Sequence, residues 1–414
     1  MSAVTHSDRL RVGLFLAALL CAGGILFSMA LSSLAFVAAV LLFVWLAVSD
    51  RHAVLRRTGL EWYFLAWIAA VLLMVLFARY PESALGSAKR VLLIAMVYIV
   101  AAALGDEQKL RRFLMYLAIV AGAYSLLGIA AFFIAKLDRL GFFQHYMTAG
   151  GLRMMLVLLF LPLLLDRATP RGERYVYAAT VLLTLVALML TQTRSSWLGF
   201  AAGAVLLGVL RYRLLLGALL ALGVLFMLLA PARFTDRVTH MFQFGAPAPA
   251  DTLRAASPVS AEDVQRAEVL ANSNRSRLRM VETGWRMFLD HPLFGLGDGE
   301  MHRMYREYVP DATKDEGGHL HNSYVHLLAT HGIVGFAAMM ALLGAYALLL
   351  WRGFRRGTGI GALVALGAFA TLLGVLVNGI AEYNLGDHEI MLMLWTTAGI
   401  AVAALRIQPE GGKQ

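Results

Sequence analysis

The 414 residues are 60% hydrophobic and 15% charged, with a mean hydropathy of +0.70. Soluble chains typically carry about 25% charged residues, so this composition excludes a soluble globular enzyme for most of the chain and indicates an integral membrane protein. The net charge of +10 would also suit a nucleic-acid-binding protein, but its distribution along the chain argues against that partner.

Apolar stretches of roughly the 20 residues needed for a membrane-spanning helix recur along the chain. They predict an all-α fold with about 12 spans, near residues 12–28, 30–48, 62–78, 85–104, 113–135, 147–165, 175–191, 196–210, 214–230, 332–351, 359–380 and 389–405. Nine spans fall in residues 1–230 and three in residues 323–414, and a loop domain of residues 231–322 separates them.

The Lys and Arg residues divide unequally between the two faces of this arrangement. One face holds 18 of them and the other holds 6, outside the long loop. Because positive charge stays on the cytoplasmic side, we expect both termini in the cytoplasm and the 231–322 loop in the periplasm. The basic excess is thus a topology signal, and we expect no nucleic-acid partner.

The long loop begins with a Gly, Pro and Ala mixture from Gly245 to about Ala261, which predicts a flexible flap. Ser273 and Asn274 then predict the cap of a helix from Arg275 to Asp290. Its apolar residues share one sector, which predicts a helix that lies along the membrane surface or packs on the loop's own core. Three alternating glycines follow as a tight turn. Basic residues flank the apolar sector, with Arg275, Arg279 and Arg286 on one side and Arg277 on the other.

Four histidines crowd into thirteen residues just before the tenth span: His319, His321, His326 and His331. Spacings of five residues do not place two of them on one helical face, which argues against zinc. We expect His331 to cap or snorkel at the mouth of the span. His321 stands in a polar turn with Asn322 and Ser323, where an imidazole can reach a substrate.

Several Lys and Arg residues lie on the face that is poor in positive charge or inside a span, where a cation suggests an anionic partner. Arg194 stands out, because the polar connection around it is too short for a solvated loop. The outer cations together predict a phosphate trap at the headgroup plane. They are Arg79, Lys89, Arg90, Lys136, Arg139 and Arg194, with Arg153 inside a span.

Three motifs carry a resemblance to a known family. TQTRSSWLG (residues 191–199), HPLFGLG (residues 291–297) and HLHNSYVHLLATHGIVG (residues 319–335) resemble the recurring pieces of the O-antigen ligase and polymerase superfamily of multi-spanning bacterial enzymes. The resemblance covers roughly residues 175–351 by motif and the whole chain by topology.

The resemblance implies glycan transfer from undecaprenyl diphosphate, with His321 and Arg194 matching the family's catalytic histidine and first functional arginine. For the second arginine, the distance from Pro292 points to Arg277, whereas the helical wheel favours Arg275 and Arg279. Lys89, Arg90 and Arg153 complete the predicted diphosphate-binding set.

The chemistry fits these residue types. A sugar hydroxyl needs a base such as a neutral imidazole, and a diphosphate leaving group needs its charge neutralised. No carboxylate stands out as a nucleophile, so we expect inversion by single displacement, with no metal and no cofactor. Asp298 and Glu300 as metal ligands are the alternative.

The sequence therefore predicts an O-antigen ligase of the bacterial inner membrane, active at the periplasmic face. The expected donor is an undecaprenyl-diphosphate-linked glycan and the expected acceptor is the lipid A core, among membrane lipids. An O-antigen polymerase or a protein O-oligosaccharyltransferase is the alternative within the superfamily. A lipid-linked glycan transporter is the alternative from another class, although a transporter should bury more ionisable groups than Arg153.

Overall fold

A computed structural model describes residues 6–50, 56–229, 261–312 and 317–407. These residues form α-helices with no β-strand among them. The helices are α1 (His6–Gly24), α2 (Met29–Ser49), α3 (Glu61–Phe77), α4 (Pro81–Ala88), α5 (Ala95–Ala103), α6 (Glu107–Ile134), α7 (Tyr146–Leu165), α8 (Arg171–Leu190), α9 (Arg194–Leu210), α10 (Arg213–Leu229), α11 (Ala261–Asp290), α12 (Met301–Tyr308), α13 (Ser323–Arg356), α14 (Gly359–Asn378) and α15 (His388–Arg406). The predicted flap falls almost wholly outside the described residues.

The all-α, multi-pass architecture is confirmed. Eight helical segments among the described residues are long and apolar enough to cross a membrane. The segment Pro81–Ala103 is one of them, although a 3-10 turn at Lys89–Ile94 separates α4 from α5. Each of the twelve predicted spans coincides with a helix, but α3, α9 and α10 are shorter apolar helices, so the count of twelve stays a prediction.

The centre of the membrane domain is formed by α7, α14 and α15, which are the most buried of the spans. Close helix contacts there depend on small residues. Gly199 and Gly203, one turn apart on α9, face α14 so closely that an added Cβ would lie 2.5 Å from the Gly374 carbonyl oxygen and 2.8 Å from that of Ala370. This contact fixes α9, whose first residue is Arg194.

Helix α13 is broken at Gly332, which has φ +62° and ψ −168°. The break frees backbone N–H groups, and the N–H of Ile333 donates to the Pro292 carbonyl at 2.8 Å while that of Val334 donates to Leu293 at 3.2 Å. In the opposite direction, Leu296 donates to Ala329 at 2.9 Å. The segment of Pro292 to Leu296 belongs to the predicted tight turn, and it also supplies hydrogen-bond partners for the backbone groups freed by the break.

A second, smaller apolar core forms around α11 and α12. Met280 and Met287 of α11 pack with Met304 and Tyr305 of α12 and with Leu320. The opposite side of α11 is exposed, with Leu278, Trp285 and Leu289 about half accessible. Met280 and Met287 therefore pack on the apolar core, whereas the predicted apolar sector of the helix is exposed. Its contact with a membrane surface stays a prediction.

Two local predictions were wrong. Helix α11 begins at Ala261, so Ser273 and Asn274 lie inside it and do not cap it. Helix α13 begins at Ser323, nine residues before the predicted span, because Asn322 provides its cap. His331 therefore lies within the helix, where it is buried and stacks on Trp67 with ring centroids 5.3 Å apart, and it neither caps nor snorkels.

Candidate active site

Four helices begin at the same end of the membrane domain, and their first turns surround one group of polar side chains. These helices are α7, α9, α13 and α15. The connection from Gly379 to Asp387, between α14 and α15, lies among them. Helix N-termini carry partial positive charge and unpaired N–H groups, so this end of the domain favours an anionic ligand.

The start of α13 is tied closely to that connection. The Asn322 side-chain oxygen accepts from the Tyr324 and Val325 N–H groups at 3.0 and 2.9 Å. The Ser323 hydroxyl donates to the Glu382 carbonyl at 2.7 Å and accepts from the Asn384 N–H at 2.8 Å. These bonds hold residue 321 against residue 382.

His321 adopts a conformation that is unusual for a residue with a side chain. Its φ is +47°, in the left-handed region that costs a non-glycine residue about 1–2 kcal/mol. Gln192, with φ +52°, occupies the equivalent place before Thr193, the cap residue of α9. Strain of this kind persists only where the surrounding contacts hold it, and it is common at functional sites.

Glu382 is the centre of the group. Its Oε2 lies 3.5 Å from Nδ1 of His321, and its Oε1 lies 3.2 Å from Nη2 of Arg277 and 3.5 Å from the Ser195 hydroxyl. The side chain is only 7% exposed. Burial alone would raise the pKa of this carboxyl, but the nearby His321 and the charge of Arg277 lower it below its ordinary value. Glu382 is therefore an anion at neutral pH.

Glu382 was not among the site residues predicted from the sequence. A usable signal was present, because a carboxylate in a short connection between two apolar spans is unusual enough to invite a functional explanation. What could not be foreseen was its partner on α11, more than a hundred residues earlier in the chain.

His319 lies beside His321, with ring centroids 4.3 Å apart, and stacks on Tyr383 at 5.6 Å. Burial and the neighbouring His321 lower the pKa of His319 to about 4. This imidazole is consequently neutral at physiological pH.

The three candidate arginines of α11 have different surroundings. Arg277 turns toward the group and also donates to the Ala381 carbonyl at 3.4 Å. Arg279 pairs instead with Asp311 on the loop surface, and Arg275 is exposed. The structure thus brings Arg277 together with His321 and Glu382 and places the other two outside this group of contacts.

Arg194 is the first residue of α9 and is half-buried. Its neighbour Ser195 reaches Glu382, so Arg194 stands at the edge of the group. The turn before it is held by Arg139, which donates to the Thr191 and Gln192 carbonyls at 3.2 and 2.9 Å and lies over the Tyr146 ring. Arg139 therefore supports the position of Arg194.

A second polar group, formed by Arg90, Asp298 and His326, contacts the Tyr383 side chain. Arg90 donates to Asp298 at 2.9 Å and to the Tyr383 hydroxyl at 3.3 Å, and His326 Nε2 lies 3.7 Å from Asp298. Burial opposes the charge of Asp298, but His326, His331 and Arg90 together hold its pKa well below the ordinary value. Glu300 is turned elsewhere and accepts from the Ser83 hydroxyl at 3.3 Å. The two carboxylates proposed as alternative metal ligands thus have separate partners.

The remaining predicted cations lie elsewhere. Arg153 is completely buried and donates to the Tyr124 hydroxyl at 2.8 Å and to the Ala149 carbonyl at 3.1 Å. Lys89 is exposed at the 3-10 turn. Neither residue shares a described contact with His321, Arg277 or Glu382.

Two comparisons with known proteins bear on the site. A family model described as O-antigen ligase matches residues 179–340, a range that includes Arg194, Arg277 and His321 but ends before Glu382. The teichuronic acid biosynthesis protein TuaE of Bacillus subtilis (strain 168) is 25% identical over 139 residues. That alignment covers 33% of this chain and 27% of the relative, so it spans about a quarter of the relative's length. The resemblance predicted from the motifs is therefore confirmed, and over residues 179–340 this multi-pass membrane protein matches the O-antigen ligase family.

Proposed function

We propose that this protein is an O-antigen ligase, an inverting glycosyltransferase that moves a glycan from undecaprenyl diphosphate to the core sugars of lipid A. The observation that carries the proposal is the arrangement of His321, Glu382 and Arg277 beside Arg194, at an end of the domain where four helices begin. This arrangement offers a base and one cation within one group of contacts, and a second cation, Arg194, precedes Ser195 of that group.

In the proposed reaction, Nε2 of His321 accepts the proton of an acceptor hydroxyl. The hydroxyl oxygen forms a bond to the anomeric carbon while the bond from that carbon to the diphosphate breaks, and the configuration inverts. Glu382 faces Nδ1, so it favours the tautomer with its proton on Nδ1 and stabilises the imidazolium that forms. The separation of 3.5 Å is long for a hydrogen bond, as is common before substrate tightens a site.

The diphosphate leaves with its negative charge neutralised by Arg194 and Arg277. A guanidinium matches phosphate oxygens with two parallel N–H donors, and the first turns of the surrounding helices add partial positive charge. Arg277 also contacts Glu382, so the cation that holds the leaving group and the carboxylate that orients the base are linked. We place this site at the periplasmic face of the inner membrane, with both termini in the cytoplasm, on the basis of the Lys and Arg distribution.

An enzyme that extends the glycan on its lipid diphosphate, or one that transfers it to protein, is the second candidate. The specific observation in its favour is that the name of the similar protein TuaE refers to teichuronic acid and not to a lipopolysaccharide. The base and the arginines would be the same, because these reactions differ in the acceptor.

The experiment that separates these functions is the electrophoretic pattern of lipopolysaccharide in a deletion strain. Loss of a ligase removes all capping glycan from the lipid A core, whereas loss of a polymerase leaves a single repeat unit attached. Reporter fusions after Ala250 and at the C-terminus test the topology, and a cytoplasmic signal from the first fusion would contradict the proposed location of the site.

A further inference from the structure

A cavity lies at the end of the membrane domain opposite to the His321 group. Its walls come from residues at or near the ends of α6, α7, α9, α13 and α14 and from the α7–α8 connection, and its volume is about 190 Å³. This is the face that carries the Lys and Arg excess and that we propose to be cytoplasmic.

The polar side of this cavity holds two arginines in fixed positions. Arg211 donates through Nη2 to Asp166 at 2.6 Å, and Asp166 in turn accepts from the Ala168 N–H at 2.9 Å. Arg111 is held by Glu107 and Glu173 at 2.7 and 3.0 Å. Each carboxylate fixes a guanidinium so that its remaining N–H groups are already oriented for a ligand.

Helix α14 begins at the mouth of the same cavity. Its cap residue Thr358 is extended and makes no side-chain bond to the first turn, and Gly359 leaves that turn exposed to an approaching group. The first N–H groups of a helix attract anions. Arg355 and Arg356 end α13 just before this point, which adds positive charge to the rim.

The other side of the cavity is apolar and is formed by Leu163, Phe354 and Leu363. These residues lie where spans end, so the cavity crosses the boundary between headgroups and acyl chains. A free inorganic anion would leave the apolar side uncovered, whereas a phospholipid presents both a phosphate and an apolar body.

We propose that this cavity binds an anionic phospholipid, with its phosphate between Arg211, Arg111 and the start of α14 and its glycerol and first methylenes against Phe354 and Leu363. The inference does not depend on the proposed glycosyl transfer. It identifies a lipid site on the face away from the chemistry, of the kind formed by basic pockets between spans.

The test measures binding of phosphatidylglycerol to the purified full chain. Native mass spectrometry counts retained lipid during titration, and thermal unfolding is followed in phosphatidylcholine nanodiscs with and without phosphatidylglycerol. Two variants address the site separately. Arg211→Gln removes one positive charge while its amide can still donate to Asp166, and Ala168→Trp fills the mouth from an exposed position. Arg167→Gln, an exposed neighbour outside the cavity lining, is the matched control.

We expect phosphatidylglycerol to raise the unfolding midpoint of the parent and of Arg167→Gln. Arg211→Gln should bind this lipid about fivefold more weakly, the effect of about one basic residue at an anionic surface, and Ala168→Trp should abolish tight retention. Equal retention by all four proteins would overturn the proposal. The same midpoint in phosphatidylcholine nanodiscs with and without phosphatidylglycerol would overturn it as well. So would an equal midpoint shift when inorganic phosphate replaces phosphatidylglycerol.

Discussion

The carboxylate of Glu382 lies 3.5 Å from Nδ1 of His321 and 3.2 Å from Nη2 of Arg277. A single buried anion thereby joins the connection before α15, the start of α13 and the loop helix α11. His321 at the start of α13 and Arg277 on α11 are the residues that match the family. The connection before α15 supplies Glu382, the carboxylate between them.

Replacement of Glu382 by Gln should lower the turnover number strongly while the protein still inserts. The amide no longer stabilises an imidazolium and can favour the wrong tautomer, and loss of the orienting carboxylate lowers kcat up to about 10⁴-fold in serine proteases. Purified variant and parent are compared at saturating donor and acceptor. Glu389→Gln, at the neighbouring helix start, is the control, and equal loss in both variants would refute a specific role for Glu382.

Arg194→Ala should cost more activity than Arg194→Lys, and the lysine variant should still be defective. Lysine restores the positive charge but not the planar guanidinium, which binds two phosphate oxygens at once. We expect about 2–4 kcal/mol of transition-state stabilisation to be lost in the alanine variant. Parental transfer by a correctly inserted Arg194→Ala would place the phosphate contacts elsewhere.

Among the arginines of α11, Arg277→Ala should lose activity, and Arg275→Ala and Arg279→Ala should keep most of it. Only Arg277 turns toward Glu382, whereas Arg279 pairs with Asp311 on the surface. Surface ion pairs contribute about 0–1 kcal/mol, so the two controls should also fold normally. A larger defect in either control than in Arg277→Ala would favour the helical-wheel assignment.

Acid should destabilise the folded protein partly through His319. Its pKa falls from 6.5 to about 4 on folding, so the unfolded chain binds the extra proton between these values. The contribution of His319 is fully present above pH 6.5 and is lost as the pH falls toward 4. His319→Gln should show a shallower decline of the unfolding midpoint across this window, and an unchanged slope would contradict the shift.

How far the sequence could predict this structure differs between its parts. The helices follow from apolar length, and His321 and Arg194 stand out as polar residues at the ends of spans. The choice of Arg277 could not be made on a helical wheel, because both flanks of α11 carry arginine and only tertiary packing decides which flank faces Glu382. The break at Gly332 could not be predicted from the sequence either. The N–H groups that it frees donate to the carbonyls of Pro292 and Leu293, about forty residues earlier in the chain.

Removal of divalent cations should leave transfer intact, because we assign charge neutralisation to Arg194 and Arg277. Asp298 has Arg90 and His326 as partners. Activity is measured with lipid-linked donor in the presence of EDTA. Loss of activity that returns with magnesium or manganese would contradict the arginine assignment and make Asp298 and Glu300 the residues to test.

The most direct test of His321 as the general base is the turnover of purified His321→Ala with lipid-linked donor and acceptor in detergent. A general base typically contributes about 10²- to 10⁴-fold, so the variant should insert, retain donor binding through its arginines and transfer almost nothing. His319→Ala and His326→Ala should keep measurably more activity, since neither imidazole can replace His321 beside Glu382. Near-parental turnover by His321→Ala would contradict the account, because the acceptor hydroxyl would then be deprotonated by another group.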